Sequence, residues 1–341
     1  MSMMIGIFLG SVRARHKQFA LKAIHATAAR QGVNANLFSG DHYQPCDVAV
    51  IWGFPKPEED SGKQVRREIE IRNRIVQEHR GIIIYIDAPL LGRKVVRTAT
   101  SSRLAKVVRT ATVRSMELFR ERPLFSTSND HSHFRIGING GFNDDGGFGL
   151  YDVCQDRWAR LQADLDLTEP KPYRASGDHI LLIGQVPNDA SLRGTDIIAW
   201  LIEQAKLISS MTERKLVIRP HPLMREESLR FLQAELACIP SIEIDTGFAS
   251  IRQALNNAWA TVTLSSGASI DSLFEGVPVI ATSSASPAYE VADHDVACIE
   301  YPTLYDRGLW LNKLASCQWS REEFKNGAVW DALARTMKAR G

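Results

Sequence analysis

The chain has 341 residues, 44% hydrophobic and 23% charged, with a formal net charge of +2, which is the balance of a globular chain of about two domains with ample core. Its longest apolar runs, such as Gly81-Ile82-Ile83-Ile84-Tyr85-Ile86, are too short to cross a bilayer, so no transmembrane segment is expected. Five scattered cysteines (Cys46, Cys154, Cys238, Cys298, Cys317) have neither disulfide-like nor metal-like spacing, which argues for reduced thiols and against a metal site.

The opening residues Met1-Ser2-Met3-Met4-Ile5-Gly6 have no charged n-region and no cleavage site, so a cytoplasmic location without a signal peptide is expected. Met4 to Leu9 reads as a short buried strand ending at Gly10-Ser11. Residues 16–31 carry Phe19, Ala20, Ala23, Ile24 and Thr27 at helical spacing and stop at Gly32. Val33 to Phe38 and Asp47 to Trp52 read as the next strands. Residues 62–80 form a charged helix whose thin apolar face runs through Val65, Ile69, Arg72 and Ile75-Val76, and Gly81 to Ile86 is a fourth strand. This βαβ rhythm predicts a parallel, doubly wound sheet.

Between Arg93 and Arg122 lie nine Lys/Arg against Glu117 and Glu121, a surplus of seven that exceeds the net charge of the whole chain. "KVVRTAT" occurs there twice, at 94–100 and 106–112, too few copies for a solenoid. The segment reads either as a local duplication or basic surface helix, or as a phosphate-binding strip in which Arg93, Lys94, Arg97, Lys106 and Arg109 meet an acceptor. Gly137 to Gly149, "GINGGFNDDGGFG", is a loop permissive enough to let backbone approach a ligand. Leu165 to Ser176, with two prolines, reads as a linker.

A second βα series follows, with strands at His179–Ile183, Lys215–Ile218, Ser241–Ile244, Ala260–Leu264 and Val277–Ala281. Helices alternate with them at Thr195–Ser209, Glu226–Ala237 and Ala249–Asn257, and Ser320 with Glu323 makes a capping box for a terminal helix near 321–338. The fold class is therefore α/β with two Rossmann-like domains facing a cleft. The predicted boundaries are 1–170 for the first domain, 177–318 for the second and 319–341 for a terminal helix that can cross back to the first.

Two stretches of the second domain carry chemistry. In "KLVIRPHPLMREES" a strand exits through Arg219-Pro220-His221-Pro222, a cationic pair stiffened by prolines at the sheet edge where open α/β sheets place ligands. In "TVTLSSGASIDSLFEGVPVI" a buried strand delivers Ser265, Ser266 and Gly267 to the first turn of a helix, where orphan N–H groups and two hydroxyls suit an anion. Asp271, on the same helical face, and Glu275, at the helix end, are placed to accept hydrogen bonds from a ribose diol. Helix capping alone is the plainer reading of Ser265, but both elements leave one sheet edge, so together they suit a nucleotide phosphate.

"IRPHP" followed by "LSSGASIDSLFEGVPVI" resembles the HP and SS motifs of bacterial GT-B glycosyltransferases that build capsules, the sialyl-, polysialyl- and capsular Kdo transferases. "GQVPNDAS" at 184–191 is similar to a loop of the Kdo transferases, and "WLNKLASCQWSREEFKNGAVWDAL" resembles phage-encoded members of the group. The resemblance covers roughly residues 178–335 and implies a GT-B architecture. It also implies that the HP and SS elements bind the donor nucleotide through His221, Ser265 and Ser266, with Gln185 of the similar loop placed beside them. A UDP- or CMP-linked sugar is the expected donor and the only cofactor, and no metal is required because basic and helix-terminal groups can stabilise the phosphates. By the same resemblance Asp144-Asp145-Gly146 corresponds to an acidic motif supplying a catalytic base; apart from the resemblance, the need for a base to take the acceptor proton makes His16 an outside candidate. The acceptor reads as a hydroxymethylated base in phage DNA, which explains the basic segment, or as a capsular or lipid-linked glycan. A sugar-nucleotide epimerase of the same architecture is the alternative that needs no acceptor.

Overall fold

The computed structural model describes residues 3–10, 12–56, 63–92, 96–99, 125–128, 132–140, 156–247 and 250–340. The first half forms β1 (Met4–Phe8), α1 (Arg15–Arg30), β2 (Asn34–Phe38), β3 (Val48–Trp52), α2 (Lys63–Glu78) and β4 (Ile82–Asp87). The short strands β5 (Val96–Ala99) and β6 (Phe125–Ser128) pair antiparallel, so within the first "KVVRTAT" copy residues 96–99 are strand and not surface helix. The alternation of β-branched Val96 and Thr98 with Arg97 favours an extended backbone there. β7 (His133–Ile138) then joins the main sheet, which takes residues 137 and 138 out of the loop predicted from the glycine run.

The second half contributes β8 (His179–Ile183), β9 (Lys215–Arg219), β10 (Ile242–Ile244), β11 (Ala258–Thr263), β12 (Val279–Ala281) and β13 (Gln318–Ser320). The first sheet has the order β13-β7-β4-β3-β1-β2 and the second β10-β9-β8-β11-β12. Strands β1 to β4 are parallel, as are all five of the second sheet, while β7 runs antiparallel to β4 and β13 antiparallel to β7.

Period-two alternation divides the first sheet's side chains between two layers. Ile5, Ile7, Val48, Val50 and Trp52 face α1, whereas Phe8, Ala49 and Ile51 face Ile71 and Ile75 of α2. The layer on the α1 side is finished by the far end of the chain: Phe324, Val329, Trp330 and Leu333 lie in the same core. The terminal helix is two helices, Arg321–Asn326 and Ala328–Arg340, broken at Gly327, whose φ of 99° is a conformation that glycine adopts freely. Ser320 caps the first of them, with Glu323 completing the box.

The crossing is clamped. Gln318 Oε1 accepts the amides of Leu90 and Leu91 at 2.6 and 2.8 Å, and Arg157 pairs with Glu323 while stacking 3.9 Å over the Trp319 ring. Arg157 begins the helix Arg157–Leu165, whose Trp158 and Leu161 share a core with Leu273, Trp310 and Leu314 of the second half. Among the described residues no helix is long and apolar enough to cross a membrane.

Candidate functional site

The carboxyl edge of the second sheet is organised by one buried amide. Gln185, just past β8, donates from Nε2 to the hydroxyls of Ser191 and Ser265, each at 3.0 Å, and accepts the Ser265 amide on Oε1 at 2.9 Å. The Ser265 hydroxyl donates to the Ser191 carbonyl at 2.9 Å. Asp189 accepts the Ser191 amide and hydroxyl at 2.9 and 2.6 Å, which caps the turn Ala190–Leu192. The loops after β8 and β11 are thereby one unit, and buried polar groups of this kind must be satisfied within the protein.

This changes the role expected of Ser265. It is 2% exposed, and both its amide and its hydroxyl are engaged inside the protein, so it fixes the loop and does not face a ligand. The outward groups of its element are Ser266 and Gly267. Ser266 accepts the Ala268 amide at 3.3 Å, and Gly267 is exposed, with open space where a Cβ would be. Asp271 lies half-buried in the first turn of the helix Ala268–Phe274. Glu275 is at that helix's end, as expected, but its carboxylate pairs with Lys171 and lies 3.7 Å from Arg252.

The cationic pair read from Arg219 and His221 is also revised. Arg219 donates to Asp245 at 2.8 Å with its side chain 13% exposed, so a carboxylate of the protein already compensates its charge. His221 accepts the Leu223 amide on Nδ1 at 3.1 Å, which leaves the proton of the neutral ring on Nε2. Burial pushes its pKa down, opposed by the nearby Asp189 carboxylate. At neutral pH His221 is a neutral donor beside the Gln185–Ser191 loop.

A cavity of about 470 Å³ lies between the two sheets, with Asp189, Ser191, Arg193 and Ala285 on one side. Arg193 also donates to Ser284 at 3.2 Å, reaching the loop after β12. The opposite wall is the edge of the first sheet, where Phe54, Lys56, Arg72, Asp87 and Arg135 line the space. Arg135 faces Asp87 across the β7–β4 register and donates to it at 2.8 Å, while its guanidinium lies 5.0 Å from the centre of the Phe54 ring. Phe54 in turn stacks on Tyr85 at 4.7 Å. Arg72 donates to the Phe54 carbonyl at 2.9 Å, and Asn73 clamps the Lys56 backbone at 3.2 and 2.8 Å. Burial lowers the Arg72 pKa, opposed by Asp87 and then Glu68.

Gly53 is what lets Arg72 lie there. Its φ is +74°, and a Cβ on it would meet the Arg72 guanidinium carbon at 3.0 Å, so a side chain would be both strained and crowded. His16, the outside candidate for a base, stands edge-on to Trp52 at 5.5 Å. Asp144, Asp145, Arg93, Lys94, Lys106 and Arg109 lie outside the described residues, and Arg97 is placed only as part of β5. Among the described residues no three His, Cys, Asp or Glu side chains come together as a metal would require.

Of the residues read from sequence, Gln185 and Ser265 bear on the cavity through Ser191, whereas Arg219, His221, Ser266 and Gly267 are not part of its lining. Arg72, Asp87, Arg135 and Arg193 line the cavity and are not among the site residues singled out from sequence. One signal was available for Arg72, an arginine on the apolar face of α2. Another was available for Arg135, in the alternating run His133-Phe134-Arg135-Ile136-Gly137-Ile138.

Neither a protein-family model nor a curated protein matches the chain. Among solved structures it is similar to KpsC of Thermosulfurimonas dismutans, described as a beta Kdo 2,7 transferase, at 12% identity over 96% of this chain and 99% of that one, with a TM-score of 0.48. It is similar also to the beta Kdo 2,4 transferase of the same organism's KpsC, at 15% identity over 93% and 90%, TM-score 0.43. A third is the UDP-GlcNAc 2-epimerase of Methanocaldococcus jannaschii, at 13% identity over 99% and 100%, TM-score 0.31. By its own strand order and cavity the chain is an α/β protein of two Rossmann-like sheets facing a cleft, and the structures it is similar to include Kdo transferases and an epimerase.

Proposed function

We propose that the chain is a GT-B glycosyltransferase that moves a sugar from a UDP- or CMP-linked donor to an acceptor hydroxyl. The observation that carries this reading is the cleft itself: the carboxyl edges of two Rossmann-like sheets enclose one cavity, and the second-sheet edge is a set of loops locked by Gln185. Ligands of open α/β sheets gather at such edges. In this reading Ser266, Gly267 and the His221 Nε2–H, beside the cavity on the second-sheet edge, hold the nucleotide, and Arg193, which lines the cavity on that same side, faces the phosphate.

During transfer the acceptor oxygen bonds to the anomeric carbon as its proton leaves. The bond from that carbon to the phosphate oxygen breaks, and its electron pair stays on the nucleotide. Arg193 and neutral donors aimed at that oxygen stabilise the charge as it develops. The proton passes to a carboxylate: Asp87 among the described cavity residues, or Asp145 or Asp144 if the acidic motif carries that role.

Thermal-shift and calorimetric titration with UDP, CMP, GDP and their sugars is the test, since a ligand of the folded form raises its melting temperature. No binding of any of them would remove the reading, and consumption of a free nucleotide-sugar without acceptor would convert it to an epimerase. A hydroxymethylated base in duplex DNA is a finer reading of the acceptor, supported by the surplus of seven positive charges at 93–122. Loss of duplex retention in a mobility-shift assay even at low salt would leave the glycan reading in its place.

A further inference from the structure

We propose that the helix Arg157–Leu165 is an acid-released latch between the two halves of the molecule. Arg157 ties its start to the first sheet, and its far end stays seated only while His133 is neutral. The latch is independent of what the cleft binds.

The second half carries this helix. Trp158 and Leu161 share a core with Leu273, Trp310 and Leu314. The residues after the helix, which read as a linker, are bolted to that half too. The Lys171 amide donates to the Phe274 carbonyl and the Arg174 amide to the Gly276 carbonyl, each at 2.9 Å. Arg307 donates to the Lys171 carbonyl at 2.9 Å. Both ends of the helix nonetheless meet the first sheet. Arg157 pairs with Glu323 and lies over the Trp319 ring, a contact whose charges persist wherever histidine titrates. At the other end Asp164 lies 3.8 Å from Nε2 of His133, which opens β7 and pairs with Ser320 of β13.

His133 is 5% exposed. Its Nδ1 lies 3.1 Å from the Ser132 hydroxyl, a group that donates to a neutral ring and accepts from a protonated one. A proton therefore breaks no bond there, and its cost is that of a charge held away from water. Nε2 has no hydrogen-bond partner among the described residues. The Asp164 carboxylate is beyond hydrogen-bonding reach and 59% exposed, so solvent screens it. Glu323 adds a second attraction and Arg157 a repulsion, while Arg321 turns to the opposite face of the sheet, over Phe19 and Phe134. A screened pair changes an equilibrium about twofold to fivefold, whereas burying a charge can change one on the order of a thousandfold. Burial wins, and it holds the His133 pKa below its ordinary 6.5. Acid then favours the state in which the helix end lifts and water reaches the ring. Two residues along β7, Arg135 lines the cavity, so lifting frees the strand that carries part of the cleft wall.

The test is amide hydrogen exchange of the full chain, corrected for intrinsic rates, at about pH 7.5 and about pH 5.5, on either side of the ordinary histidine range. Residues 161–165 and 132–134 should lose protection at the lower value by up to about tenfold, the ceiling for one group of ordinary pKa 6.5 held neutral roughly one pH unit below it. His133→Gln, which cannot take the proton, should show equal protection at both values. Asp164→Asn changes an exposed side chain and decides the matter if His133→Gln does not fold. It should stay close to the wild type at the higher pH and lose more protection than the wild type at the lower one. Unchanged or increased protection of 161–165 in the acidified wild type would overturn the latch. So would an equal loss in His133→Gln, or a smaller loss in Asp164→Asn.

Discussion

At the carboxyl edge of the second sheet the loops are tied by a hydrogen-bond network inside the protein: Gln185, Ser191 and Ser265 satisfy one another, and the Asp189 carboxylate takes the Ser191 amide and hydroxyl. At the edge of the first sheet the tie is ionic, Arg135 paired to Asp87 at 2.8 Å, while Arg72 is held by a hydrogen bond to the Phe54 carbonyl. A network satisfied from within the protein holds its loops rigidly. The sheets differ in assembly as well. Strands 179–281 supply the whole second sheet, whereas the first is finished by β13 and by helices from the last twenty residues.

The largest effect expected from breaking this contrast is in that last feature. Trp330 is 1% exposed in the first core, and Trp330→Ala should cost about 3–5 kcal/mol through the cavity it leaves. Amide exchange should rise across β1 to β4 and stay slow across β8 to β12. A uniform rise across both sheets would show that they melt as one unit. Gln185→Ala is the counterpart in the second sheet. It strips partners from the Ser265 amide and the Ser191 hydroxyl and should cost about 1–3 kcal/mol in urea unfolding. Because Asp189 still holds Ser191, that loop should loosen without melting, and nucleotide affinity should fall with it.

Most of the α/β rhythm was legible from hydrophobic periodicity, since β1 to β4 and β8 to β12 coincide with short apolar runs bounded by turns. What escaped were elements whose identity depends on distant partners. β13 is three residues that become strand by pairing with β7, and Gly327 divides a helix that periodicity alone reads as continuous. The site divides the same way. "IRPHP" and "LSSGAS" did mark the sheet edge, but residue type alone could not show that Ser265 turns inward to Gln185 or that Arg219 meets Asp245, eighty and twenty-six residues away. The first-sheet wall is assembled from loop 53–56, α2, β4 and β7, with no local run of sequence to announce it.

A smaller effect sharpens the reading of Arg219. As the partner of Asp245, its replacement by alanine and that of Asp245 should each cost about 1–2 kcal/mol, less than a fully buried pair, with a double variant well short of additive. UDP or CMP affinity should be nearly unchanged in Asp245→Ala. A gain there would mean that freeing Arg219 lets it reach a phosphate.

The smallest effect is in pH. Burial depresses the pKa of His79 and His133 in the first half and of His179 and His221 in the second. A histidine with a folded pKa below its ordinary 6.5 binds protons more readily when unfolded. Its contribution is therefore complete above pH 6.5 and is lost as pH falls through that value, until the folded form is protonated too. The urea midpoint should drop between pH 7.5 and 5.5, an interval on the order of the shifts such groups undergo. His221→Gln should blunt that drop without abolishing it. Protonating His221 also puts a hydrogen on Nδ1, which then no longer accepts the Leu223 amide, so nucleotide affinity should weaken over the same interval. If His221→Gln leaves the drop in the urea midpoint unchanged, the buried His79, His133 and His179 carry it instead.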